Sequence, residues 1–138
     1  MSFDPERWLG VANVCCIPIP EVNREALLRT ALNRAYYAAL LSVRKRVEAV
    51  HGRGSVPSTG THAALFQAVG TGGENFEEIY EVLSQLREAR NRADYHLDTD
   101  PLVPDRVVWY VDRSRRLIRN RINAMRDDEY RALVVPRP

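Results

Sequence analysis

Lysine is nearly missing from this chain of 138 residues: of 20 basic side chains only Lys45 is lysine, and the rest are arginine. The basic surface is therefore made of planar donor forks that match carboxylate and phosphate, although a coding bias toward Arg and Ala explains the same count. Cysteine is also scarce. Cys15 and Cys16 are the only two and are adjacent, a poor arrangement for an ordinary bridge. They read as reduced, buried thiols, which fits the cytoplasm, and no base is visible that would make either a nucleophile. His51, His62 and His96 are scattered, with no clustered ligands to form a metal site. Gly70-Thr71-Gly72-Gly73 lacks the Lys-Ser/Thr of a phosphate loop. No apolar run approaches the roughly 18 residues of a membrane span, and none has the layout of a signal peptide. A net charge of +2 does not by itself announce a nucleic-acid binder.

What remains is ordinary for one soluble domain: 45% hydrophobic and 28% charged residues. Asp4-Pro5-Glu6 is a helix start, with a capping carboxylate, a preformed proline and an acid at the positive end. That helix stops before Ile17-Pro18-Ile19-Pro20, where each residue preceding a proline is pushed toward extended backbone. A second start at Pro20-Glu21 opens a stretch without Gly or Pro as far as His51, predicting one long helix. Its middle, Ala35 to Leu41, is apolar on every side and belongs at the centre of a bundle. Tyr36 and Tyr37 lie there and read as core. Thr61 can cap a short helix over 62–69, and His62 reads as a capping or packing residue. The next helix begins near Glu74, with a seam of Phe76, Ile79, Tyr80, Leu83, Leu86 and Arg90. A last helix from Pro104-Asp105 runs through Val108, Val111, Leu117, Ile118, Ile122 and Met125. Its other faces carry Arg113, Arg115, Arg116, Arg119, Arg121 and Arg126, a candidate RNA track unless Asp112, Asp127 and Asp128 balance it. The expected fold is a single all-α, up-and-down bundle of about five helices over 1–138. Flexible loops are expected near 52–60 and 70–74, and a C-terminal tail near 127–138.

Chemistry concentrates in Arg90-Asn91-Arg92-Ala93-Asp94-Tyr95-His96. A solvated face with Arg90–Asp94 and Arg92–His96 pairs accounts for much of it. Arg90, however, continues an apolar seam, and a half-buried guanidinium wants a fixed anion. Asp94 or a substrate phosphate can fill that role.

Two blocks here resemble a known family. Asn33-Arg34-Ala35-Tyr36-Tyr37-Ala38-Ala39 is similar to the R-x-Y-Y-A signature of HEPN domains, small helical bundles named for nucleotide binding in higher eukaryotes and prokaryotes. Arg90 to Tyr95 resembles the R-x-x-A-D-Y block of one prokaryotic branch, and Arg90-Asn91 with His96 fits the superfamily's Arg-polar…His pattern. Thr61-His62 matches a weaker feature. The resemblance implies a metal-independent ribonuclease of a toxin or defence system, without cofactor. It would act as a cytoplasmic homodimer with both Arg–His motifs lining one cleft. On that expectation His96 moves a proton, Arg90 holds the scissile phosphate, and Asn91 orients either. Asp94, Tyr95, Arg92 and Arg34 support or bind substrate. The alternative is a non-catalytic module that binds a nucleotide or a nucleotidyltransferase partner; an antitoxin is another expected partner. Where the toxin branch has a modifiable Tyr two positions after the His, this chain has Asp98. At about 100° per residue, Arg90 and His96 do not share a face of an ideal helix. Either the helix distorts near Tyr95, or His96 lies at a frayed end, or the two act in different half-sites of a dimer.

Overall fold

The computed structural model describes residues 4–18, 23–95 and 102–136. Among them lie six α-helices and no strand: α1 (Glu6–Cys15), α2 (Arg24–His51), α3 (Thr61–Gly70), α4 (Glu74–Tyr95), α5 (Pro104–Leu117) and α6 (Asp127–Arg131). A π-helical turn over Ile118–Ile122 extends α5. The all-α bundle is as expected, with one helix more than anticipated.

The axis of the bundle is α2, about 42 Å long at 1.5 Å per residue, which packs against every other helix and the π turn. It starts later than its proline suggests. The Asn23 side chain accepts from the Ala26 amide at 3.2 Å and caps a helix that begins at Arg24. Arg24 then donates to the Cys16 carbonyl at 2.8 Å, fastening α2 to the end of α1. At the far end Gly52, with φ of 106°, turns the chain out of the helix in a conformation that L side chains rarely adopt. The turns that follow are pinned by Val56, which is 2% exposed, so the stretch expected to be flexible is anchored at its middle. Thr61 does not cap α3. Its hydroxyl donates backward to the carbonyls of Pro57 (2.6 Å) and Ser58 (3.2 Å), tying down the loop.

Four further expectations need correction. Tyr80 is spaced like a seam residue but is 44% exposed; it lies at the edge of the stripe and rests edge-on against Phe66, 5.8 Å between centroids. Val108 is 48% exposed, and α5 instead buries Val107, Val111, Ser114 and Leu117. The region from 127 is not a loose tail, because α6 buries Tyr130 and the residues after it bury Leu133. Finally, Asp127 and Asp128 pair with Arg46 and Arg131 rather than with the arginines of α5.

The core has two unequal parts. Large side chains, including Tyr36, Leu40, Phe76, Leu83, Ile118 and Tyr130, fill the wider one. The narrower one is built mostly from Ala12, Ala31, Ala35, Ala89 and Ala93 with Leu28, Leu32, Val107 and Val111. Alanines there let α1, α2, α4 and α5 approach closely, and Ser114 uses the proximity to donate to the Ala35 carbonyl at 2.7 Å. This narrow part lies beside the last turns of α4 that carry the candidate residues.

Candidate functional site

Arg87, Arg90, Asn91 and Asp94 fall within roughly 100° of arc on α4, a flank beside the aromatic rings of α1, α2 and α3. Arg90 is half-buried, and its Nε lies 3.0 Å from Oδ2 of Asp94, the pair expected from their spacing. Its Nη1 reaches Oδ1 of Asn91 at 3.4 Å. The guanidinium carbon lies 5.6 Å from the ring centre of Tyr37 and 5.9 Å from that of Tyr36, within the range where a cation is drawn to a π face. Among the described residues Arg90 therefore has a fixed place but keeps donors in hand.

The aromatic wall runs from α1 to α3. Trp8 and Tyr37 meet at 5.8 Å, Tyr37 and Tyr36 at 5.4 Å, and His62 lies against both tyrosines at 5.3 and 5.5 Å. Arg34 covers the Trp8 ring at 4.2 Å, and Arg87 lies 5.2 Å from the Phe66 ring centre. Neither arginine makes an ion pair among the described residues. Among the described residues, the flank thus gathers three guanidiniums, from Arg34, Arg87 and Arg90, against the carboxylate of Asp94, with Glu88 lining the adjoining groove.

His62 is the residue that sequence reasoning set aside and the fold brings in. Its Nδ1 is 2.9 Å from the Tyr36 hydroxyl. Burial, then the charges of Arg90 and Arg87, push its pKa below the usual 6.5, so the ring is neutral at pH 7. Burial also pushes the Tyr36 phenol up to about 12. A phenol that keeps its proton beside a neutral imidazole donates O–H to Nδ1 in one tautomer of the ring and accepts from Nδ1–H in the other. The sequence carried only a weak signal for this, Thr61-His62 ahead of an apolar helix, because the contact joins residues 26 apart.

The remaining predicted residues are distributed as follows. Arg92 is on the other side of α4, mostly exposed, with Nε 3.8 Å from Glu88. Tyr95 ends α4, but its side chain and the whole of His96 lie outside the described residues, as do the Arg92–His96 pair, Asp98 and the three arrangements considered for Arg90 and His96. Tyr36 is wholly buried and Tyr37 half-buried, so the expected core pair divides into a packing residue and a site residue. No helix among the described residues is long and apolar enough to cross a membrane. Both cysteines are free, and burial pushes the Cys16 thiol up, away from nucleophilic use.

No family model matches the chain, and no curated protein or solved structure matches it either.

Proposed function

We propose that this chain is a HEPN-type ribonuclease that cleaves RNA without a metal ion, acting as a homodimer. The observation that carries the reading is the half-buried Arg90, held by Asp94 and two aromatic rings with donors to spare, on a flank where cations outnumber carboxylates. Guanidiniums interleaved with aromatic side chains suit single-stranded nucleic acid, because phosphates take the charge and bases the rings. In this reading Arg90 and Asn91 hold the scissile phosphate. The ribose 2′-oxygen attacks the adjacent phosphorus, the bond to the 5′-oxygen breaks, and a 2′,3′-cyclic phosphate remains. His96 takes the 2′-hydroxyl proton or gives one to the leaving 5′-oxygen.

The test is incubation of purified protein with total RNA in chelator, beside His96→Ala and Arg90→Lys variants of verified fold. The expected result is cleavage by wild type alone with cyclic phosphate ends; an Arg90→Lys variant loses the bidentate fork while keeping the charge. Products bearing 5′-phosphates, or equal cleavage by His96→Ala, overturn the mechanism. A second reading draws on Asp94, which already closes one edge of the Arg90 fork: a module that binds a nucleotide or a nucleotidyltransferase. It predicts intact RNA and nucleotide binding that survives His96→Ala but not Arg90→Ala.

A further inference from the structure

The outward face of α5 carries a feature the proposed reaction does not use. Trp109 is 50% exposed, which leaves an indole in water with no core to fill. The Arg113 guanidinium lies 5.0 Å from its ring centre, and Tyr110 stands edge-on at 5.0 Å and 77°. The charges around it are unevenly satisfied. Arg115 and Arg116 both converge on Asp112, which occupies that carboxylate, whereas Arg106, Arg113 and Arg119 make no ion pair among the described residues.

This face is continuous with the candidate site. A surface depression at Trp109, Tyr110, Arg106 and Asp105 adjoins a recess that Arg106 and Tyr110 share with Arg92. Arg92 in turn borders a groove with Asn91, Arg87 and Glu88. The opposite exit from that groove, past Phe66 and Tyr80, leads to Glu77 and to the acidic start of α4 at Glu74 and Glu77, which repels phosphate. The route across α5 sets Arg113, Arg106, Arg92 and Arg87 against Asp105 and Glu88 and so keeps an excess of positive charge.

We propose that the α5 face, from Arg113 and Trp109 through Arg106 to Arg92, binds single-stranded RNA and leads it to the Arg90 flank. It rests on the ribonuclease reading only for the identity of the strand. Trp109 stacks a base, and the guanidiniums of Arg106 and Arg113 take phosphates on either side. RNA supplies both halves of this complementarity, whereas an acidic protein would satisfy the arginines and leave the indole without a planar partner.

The experiment measures binding of a labelled 2′-O-methyl oligouridine, which has no 2′-hydroxyl to react, by fluorescence anisotropy over a salt series. Wild type binds with salt-dependent affinity. Trp109→Ala weakens binding about tenfold, and Trp109→Phe restores most of it. Arg106→Ala with Arg113→Ala lowers the salt slope by about 1.4, at roughly 0.7 per phosphate contact on a single strand. Trp109 is half in solvent, so circular dichroism of Trp109→Ala should match wild type. Unchanged affinity in Trp109→Ala, absence of wild-type binding, or displacement of the oligonucleotide by polyglutamate at equal concentration would each overturn the track. Cleavage of ordinary RNA is followed in parallel: cleavage with no Trp109 effect sinks the track alone. A Trp109-dependent affinity without cleavage sinks the ribonuclease reading alone.

Discussion

Arg46 of α2 and Arg90 of α4 are almost equally exposed, at 18% and 21% of their side chains, and are used in opposite ways. Arg46 donates to the carbonyls of Ile122 (3.1 Å), Asn123 (3.1 Å) and Met125 (2.7 Å) and to Asp127 (2.9 Å), and lies 4.6 Å from the Tyr130 ring centre. Beside it His51 meets the Tyr130 carbonyl at 2.8 Å, and the Tyr130 hydroxyl donates to Ile122 at 2.6 Å. Every group in this cluster is fixed by another, and its acceptors are mostly backbone. Arg90 has one carboxylate, one long amide contact and two rings. Burial alone does not separate a structural arginine from one available to a ligand; the donors left over do.

The comparison can be broken by measuring stability. The largest effect is expected for Arg46→Ala, about 3 kcal/mol in urea unfolding, because hydrogen bonds from a charged donor to several acceptors are lost together. If the loss is under about 1 kcal/mol, the clasp is not structural. Tyr130→Phe should cost about 1 kcal/mol, since the Ile122 carbonyl keeps its bond from Arg46. A smaller and pH-dependent effect is expected at His62. Its folded pKa lies below the ordinary 6.5, so the protonated form is disfavoured in the fold. The corresponding stability is present above pH 6.5 and is lost as pH falls through the folded pKa. Urea midpoints at pH 7 and pH 5 should diverge more for wild type than for His62→Gln, and equal divergence would show that another group titrates. The smallest change is expected for Asp94→Asn, a few tenths of a kcal/mol because the pair is partly in solvent. The same substitution frees the Arg90 fork and should tighten binding of a non-cleavable oligonucleotide. Weaker binding instead would mean that Asp94 positions Arg90 for its ligand.

Much of the fold was legible because Gly, Pro and capping residues punctuate it. Gly52 and Pro104 bracket helices that their neighbours' periodicity already suggests, whereas the start read at Pro20-Glu21 lies at the Asn23 cap. The errors have local causes. Val108 displaced Val107 in the reading because the true buried face of α5 runs through Ser114, a polar residue made acceptable inside by the Ala35 carbonyl. Helix α6 was missed because five residues are too few for a periodic signal. The Arg90–Asp94 pair was readable, being local to one helix. The wall of Trp8, Tyr37 and His62 was not, since it is assembled from three helices far apart in sequence.

The π turn has a consequence for chain length. Its bond from the Asn123 amide to the Ile118 carbonyl, at 2.9 Å, takes one more residue than an α-helical turn. It therefore acts as a phase shifter of about 100° between the two ends of one continuous coil. With the extra residue, Arg121 points to Glu78 at 2.7 Å, and the carbonyls of Ile122 and Asn123 come within reach of Arg46. Deleting the exposed Asn120 would restore an ordinary helix and rotate everything after it, carrying Tyr130 off its seat without altering a single side chain of the clasp. Between Ser114 and Arg126 the spacing is thus itself a structural element, and a gain or loss of one residue would do what no substitution there can.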